Sequence, residues 1–260
     1  KGDKILKNNQ TDTFTIKVTY NPSTTTQPST LTSDIQVTLN YEQDLGQVSP
    51  YDGYEIGDVI TFNNANWRVI KASAEDEDYV TVMKEKVLTN AELGSYAYNS
   101  TYDTMEFTWT ETCHNSNHGY SSGSYNCDNT NSYANSKVKE FLEGTYINTL
   151  GANKLKEVDG YKIRLITLEE LQQNLGVSTT INNSWYGVDT SDSLKWVYQN
   201  FGEGQNNVGG YWTMTAHPDY SSRVWNVSRD GRVYYFYVNS GSYSSGDGVR
   251  PVINLLKSEI

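Results

Sequence analysis

Between Thr215 and Leu256 the chain contains no Lys, Glu, Gln or Met. At the frequency of these four types in the whole sequence, roughly six or seven would be expected in a window of that length. Lys and Glu are the usual residues of a solvated face. Their place is taken by Tyr220, Tyr234, Tyr235, Tyr237 and Tyr243, by serines, and by Arg223, Arg229 and Arg232. The tract is bracketed by Tyr211-Trp212-Thr213-Met214 and Val224-Trp225-Asn226-Val227 on one side and Val249-Arg250-Pro251-Val252-Ile253 on the other. Trp, Val and Ile at such density suit buried strands. Tyr, Ser, Gly and Arg are the residues of binding loops: Tyr gives broad amphipathic contact at low entropic cost, and Ser and Gly give adaptable hydrogen bonds. The stretch therefore reads as strands carrying a surface of unusual chemistry.

The 260 residues suffice for a large core and one or two domains. Twenty-one Tyr and a scarcity of Leu-rich periodic runs point to α+β architecture with β dominant. A formal charge of −11 argues against nucleic acid and against an anionic membrane surface. No apolar run approaches the length of a membrane span, so direct membrane insertion is not expected. Cys113 and Cys127, set in Asn, Ser and Gly, read as a disulfide pinning an exposed loop in an oxidising, extracellular setting. The rival reading joins them with His114 and His118 around zinc, but the adjacent Cys113 and His114 are poorly spaced for it.

Strand-like alternation occurs over 12–20 and 35–41, separated by a Pro/Ser/Thr-rich connection, so residues 1–49 form a β segment apart from a main domain over 50–260. Within that domain a meander is predicted over 58–62, 66–72 and 79–83, with a tight turn at Asn63-Asn64-Ala65. Glu75 to Asp78 reads as a solvated turn tip, with a calcium site as the minority alternative. Little periodicity appears over 86–135. Helices are predicted over 137–150, over 167–175 behind a Thr167/Glu170 capping box, and over 193–201, with a strand over 161–166. No catalytic motif is present: no G-x-S-x-G, phosphate-binding glycine loop or H-E-x-x-H. Non-catalytic binding, without cofactor or metal, is expected.

Taken in order, Gly57-Asp58-Val59-Ile60, Trp67-Arg68-Val69-Ile70, Arg164-Leu165-Ile166-Thr167-Leu168-Glu169-Glu170-Leu171, Tyr211-Trp212-Thr213-Met214, Val224-Trp225-Asn226-Val227, Gly231 and Gly248-Val249-Arg250-Pro251-Val252-Ile253 resemble a bacterial extracellular domain of uncharacterised function. That domain is similar to the C-type lectin-like fold of formylglycine-generating enzymes: a mixed antiparallel sheet with two or three helices and long loops. Residues 1–49 are faintly similar to the end of an Ig-like β-sandwich. The C-terminal tract resembles the variable region of proteins diversified by retroelements, where changes at template adenines reach Asp, Ser, Tyr, His, Phe, Arg and Gly but not Lys, Glu, Gln or Met. The resemblance implies a variable, ligand-binding surface made by His217, Asp219, Tyr220, Ser221, Ser222, Arg223, Ser228, Arg229, Asp230, Arg232, Tyr234, Tyr235, Tyr237, Ser240, Ser242, Tyr243, Ser244, Ser245 and Asp247. Trp212, Trp225, Val227, Val249, Pro251 and Ile253 would form the buried framework. The E-P-N, Q-P-D and W-N-D tripeptides of calcium-dependent lectins are missing, as are cysteines where a formylglycine-generating site would need them. The implied partner is a protein or glycan on another cell or a phage, met by a module attached to the cell surface through a segment outside this chain. The alternative is a structural pilin- or adhesin-like subunit.

Overall fold

The computed structural model describes residues 53–73, 77–98, 100–108, 129–182, 184–202, 208–239 and 246–260. The chain divides into two units, Lys1–Asp44 and Leu45–Ile260, and all described residues belong to the second. The expected N-terminal strands, Glu75 and Asp76, the Cys113/Cys127 pair with His114 and His118, and Ser240, Ser242, Tyr243, Ser244 and Ser245 lie outside them.

The described part is α+β, built on two five-stranded sheets. The first contains β1 (Val59–Phe62), β2 (Ala65–Lys71), β3 (Tyr79–Lys84), β4 (Ile163–Arg164) and β10 (Val252–Leu256) in the order β1-β2-β3-β10-β4, all antiparallel. β1 and β2 close through Asn63 and Asn64 at φ 51° and 59°. Two left-handed residues give the primed turn whose twist matches a hairpin, and Asn tolerates that conformation. The last strand, β10, enters the middle of this sheet between β3 and β4, with Val252 opposite Met83 and Ile253 opposite Ile163.

The second sheet contains β5 (Tyr186–Gly187), β6 (Gly210–Ala216), β7 (Arg223–Ser228), β8 (Arg232–Tyr237) and β9 (Asp247–Gly248) in the order β5-β8-β7-β6-β9; only the β6–β9 pair is parallel. Neighbouring residues of a strand face opposite ways. Tyr211 accordingly joins one core cluster with Ile70, Met83, Leu171 and Trp225, while Trp212 joins another with Trp67, Phe107, Phe141 and Val224. Burial on both faces explains why β6 and β7 read as apolar runs and not as alternating strands.

The helix predicted over 137–150 is continuous but irregular: α2 (Lys137–Phe141), a π turn (Leu142–Tyr146) and α3 (Ile147–Leu150), ended by Gly151 at φ 83°. α4 (Leu168–Asn174) starts with the anticipated Thr167/Glu170 capping box, and Arg164 grips the same Glu170 carboxylate through both Nη atoms. A further helix, α1 (Asn90–Leu93), carries a Thr89/Glu92 capping box within the region that showed no periodicity.

Two expectations are corrected. Over 193–201 only one 3₁₀ turn forms, Lys195–Val197. The Val197 carbonyl, which a continuing helix would need, accepts instead from Tyr211 Oη at 2.7 Å and Arg250 Nη1 at 3.2 Å. The strand expected over 161–166 is confined to Ile163–Arg164, because the Ile166 carbonyl leaves the first sheet to accept from the Met214 amide of β6 at 2.9 Å.

Arg250 sits at the junction of these elements and is fully buried. Its Nε donates to the Lys84 carbonyl at 3.0 Å, Nη2 to that of Glu85 at 3.0 Å, and Nη1 to that of Val197 at 3.2 Å. Its guanidinium lies 4.7 Å from the Tyr211 ring centroid. A planar fork surrounded by carbonyls and rings is a role Arg fills and Lys does not.

Candidate functional site: an aromatic and arginine cluster at one end of the second sheet

The connection between β6 and β7 folds back on itself. The His217 amide donates to the Arg223 carbonyl and the Arg223 amide to the Tyr220 carbonyl, both at 3.0 Å. Segment 130–131 clamps this loop from outside. The amides of Thr130 and Asn131 both donate to Ser221 O, and Asn131 Nδ2 lies 3.0–3.2 Å from the carbonyls of His217, Tyr220 and Arg223. Asn131 fixes the loop yet carries no sequence signal, since it is one Asn in an Asn-rich tract.

His217, expected on the presented surface, is buried at 7% exposure. Its ring stacks on Trp225 at 4.8 Å and 25°, meets Tyr235 edge-on at 4.4 Å and lies tilted against Tyr220 at 4.8 Å. Nδ1 accepts the Asp219 amide at 3.1 Å, which assigns the neutral tautomer with hydrogen on Nε2. Burial pushes the imidazole pKa below its ordinary value; Asp219 opposes that shift and Arg223 adds to it.

Above His217, Arg223 projects among three rings. Its Cζ is 4.4 Å from the centroid of Tyr220, 4.4 Å from that of Tyr237 and 5.1 Å from that of Tyr235. Nη2 donates to Tyr237 Oη at 2.8 Å. Tyr220 and Tyr237 are 45% and 48% exposed, whereas Tyr235 is partly buried against Trp225. The cluster follows from register: Arg223 pairs with Tyr237 and Trp225 with Tyr235, so all four side chains share one face of the β7–β8 hairpin.

Most of the remaining positions do not converge there. Ser228, Arg229, Asp230 and Arg232 occupy the opposite end of the hairpin, where Arg232 Nε donates to Asp230 Oδ2 at 2.8 Å and the guanidinium lies 5.8 Å from the Trp185 ring. Five residues of strand separate the ends by about 16 Å. Tyr234 and Phe236 alternate with Tyr235 and Tyr237 along β8, their ring centroids 5.7 Å apart, and the Tyr234 ring also stacks on Tyr235 at 4.8 Å and 10°. Phe236, 39% exposed, was missed by sequence reasoning although its Tyr-rich context marked it.

Asp247 is the clearest correction. Expected as a presented residue, it is 3% exposed in β9, where its Oδ1 accepts from Asn226 Nδ2 at 2.9 Å. The room for this pair comes from Gly210: a Cβ there would lie 2.6 Å from Asp247 Oδ1 and 2.5 Å from the Val227 carbonyl. Burial raises the Asp247 pKa to about 7, with the Asn226 hydrogen bond opposing. Asp247 belongs with the framework, whose Trp212, Trp225, Val227, Val249, Pro251 and Ile253 are all buried. Among the described residues no three His, Cys, Asp or Glu side chains come together as metal ligands, and no helix is long and apolar enough to cross a membrane. No protein-family model, curated protein or solved structure matches the chain.

Proposed function

We propose that this chain is a non-catalytic, cell-surface binding module of C-type lectin-like type. Its presented surface centres on Tyr220, Arg223 and Tyr237, with Asp219, Ser221 and Ser222 around them. The observation that carries the reading is the combination of exposure and preorganisation. Two nearly half-exposed tyrosines and an arginine held between rings sit on a hairpin whose own stability comes from the buried residues beneath it. Tyr and Arg are the residues that dominate binding energy in protein interfaces, because each combines large contact area with hydrogen-bonding capacity. Diversification by a retroelement fits the composition of the tract and the exposure of Asp219, Tyr220, Arg229, Asp230, Arg232 and Tyr237. His217 and Asp247 drop out of the diversifiable set because each packs into the framework.

A structural-subunit reading draws on one specific observation, the packing of Tyr235 on Trp225 and His217. It accounts for Tyr235 and leaves the exposed Tyr220 and Tyr237 without a role. The test is a screen of the full chain against displayed peptides and a glycan array, repeated with Tyr220, Arg223 and Tyr237 all changed to Ala. The reading expects binders that the triple variant loses by at least about tenfold. Binding unaffected by the triple change would refute it. For diversification the observation is the encoding DNA: a near-identical template copy differing only at adenines, beside a reverse transcriptase gene, is expected.

A further inference from the structure

Arg223 differs from Arg232 and Arg250, two other cations of the tract. Arg232 is paired with Asp230, and Arg250 is buried against carbonyls. Arg223 makes no ion pair among the described residues, and its one side-chain hydrogen bond goes to Tyr237 Oη. The guanidinium carries five N–H donors in its plane, and the one hydrogen bond to Tyr237 Oη takes one of them. The three rings hold the group in place, and among the described residues its other donors have no partner. The nitrogens are not orphans sealed in the core: none is among the buried, unpartnered side-chain atoms of the described residues. Arg223 is half-buried, at the surface of the cluster.

We infer that Arg223 is a carboxylate-recognition point, in which the guanidinium held by Tyr220, Tyr235 and Tyr237 receives an Asp or Glu side chain of a protein partner through two parallel hydrogen bonds. The inference rests on the binding-module reading above and names the chemistry of that same site. A fork of two N–H donors matches a carboxylate, and fixing the guanidinium beforehand removes part of the ordering cost of the contact. The chain's charge of −11 disfavours a polyanion by long-range repulsion, but a single carboxylate within an otherwise apolar patch escapes most of that repulsion at physiological salt. A protein fits better than a small molecule, because the exposed rings of Tyr220 and Tyr237 stand out from the hairpin as projecting anchors. The acid would be flanked by apolar groups that cover those two rings. Among the described residues, His217 beneath the rings and Asp219 beside it are the titratable groups that adjoin the three tyrosines and Arg223.

The experiment pans a random dodecapeptide phage library on the immobilised full chain. Selected peptides are then synthesised with their acidic residue kept or changed to Gln, and titrated against the wild type, R223Q and R223K by fluorescence anisotropy. The inference expects an Asp or Glu at a shared position. It expects the acid-to-Gln peptide to bind wild type about tenfold more weakly, with less than about twofold difference on R223Q. R223K, which keeps charge but lacks the fork, should lose most of the tenfold. If selected peptides need Tyr220 and Tyr237 but show no acid preference, or if acid-to-Gln costs the same on R223Q, the carboxylate inference falls and the binding-module reading stands. Arg223-dependent binding confined to acidic glycans on an array would overturn the protein partner. If no probe depends on the cluster at all, both fall.

Discussion

Changing Asp247 to Asn removes a buried acid without altering its shape, and the structure sets the size of the effect. Burial raises the Asp247 pKa from 3.8 to about 7. A folded-state pKa above the unfolded value means a contribution that is complete below pH 3.8 and is lost as pH rises toward 7. At and above neutral pH the folded wild type must either keep this carboxyl protonated or ionise it in the core, whereas the unfolded chain ionises it freely in water. At 1.36 kcal/mol per pKa unit, roughly three units make that cost on the order of 4 kcal/mol. The substituted amide carries no such cost. Its oxygen can still accept from Asn226 Nδ2, and its nitrogen can supply a donor to Asn226 Oδ1, which is buried without a partner. Urea unfolding at pH 7.5 should therefore show D247N more stable by about 3–4 kcal/mol, equivalent to roughly 10 °C in melting temperature for a domain of this size. The gain should vanish at pH 3.5. An equal gain at both pH values would refute the reasoning, and so would a loss at pH 7.5, which would mean that the fold stabilises the carboxylate and does not penalise it.

Gly210→Ala should destabilise by roughly 2–3 kcal/mol, read as the urea midpoint, because the new methyl would meet the Val227 carbonyl at 2.5 Å. Arg250→Lys should cost at least about 2 kcal/mol in the same assay, since one ammonium cannot serve the carbonyls of Lys84, Glu85 and Val197 together and orphaned buried acceptors are expensive. His217 has a depressed folded-state pKa, so it remains neutral in the folded protein while the unfolded chain protonates below about 6.5. Stability should decline as pH falls from there toward the folded value, and H217F, which keeps the stack on Trp225, should flatten that part of the pH profile.

Much of the scaffold was legible because local signals and tertiary demand agree. The Asn63-Asn64 turn, the Thr167/Glu170 cap and the Gly151 stop are short-range chemistry, and each appears where the residues place it. The Thr89/Glu92 cap of α1 was equally legible, but a helix of four residues leaves no periodicity to draw attention to it. The 193–201 segment misled for the opposite reason: its apolar spacing is helical, yet the Val197 carbonyl serves partners at positions 211 and 250. Such long-range claims on a backbone group leave no local trace. The same distinction runs through the candidate site. Exposure of Tyr220 and Tyr237 follows from loop and strand-end positions, whereas burial of Asp247 depends on Gly210 and Asn226, which register alone brings beside it. Composition marked the tract as a whole but could not tell which of its polar residues the β6–β9 pairing would turn inward.

The proposed function requires a division between a framework that holds the fold and presented residues that are free to change. Stability measured across a library that randomises Asp219, Tyr220, Arg223 and Tyr237 tests that division most directly. Randomisation removes exposed cation–π and hydrogen-bond interactions worth about 1 kcal/mol together, so melting temperatures should stay within roughly 4 °C of the parent for most clones. If instead most clones unfold, as clones randomised at Trp212, Trp225 and Val227 should, the cluster belongs to the core and the presented surface does not exist.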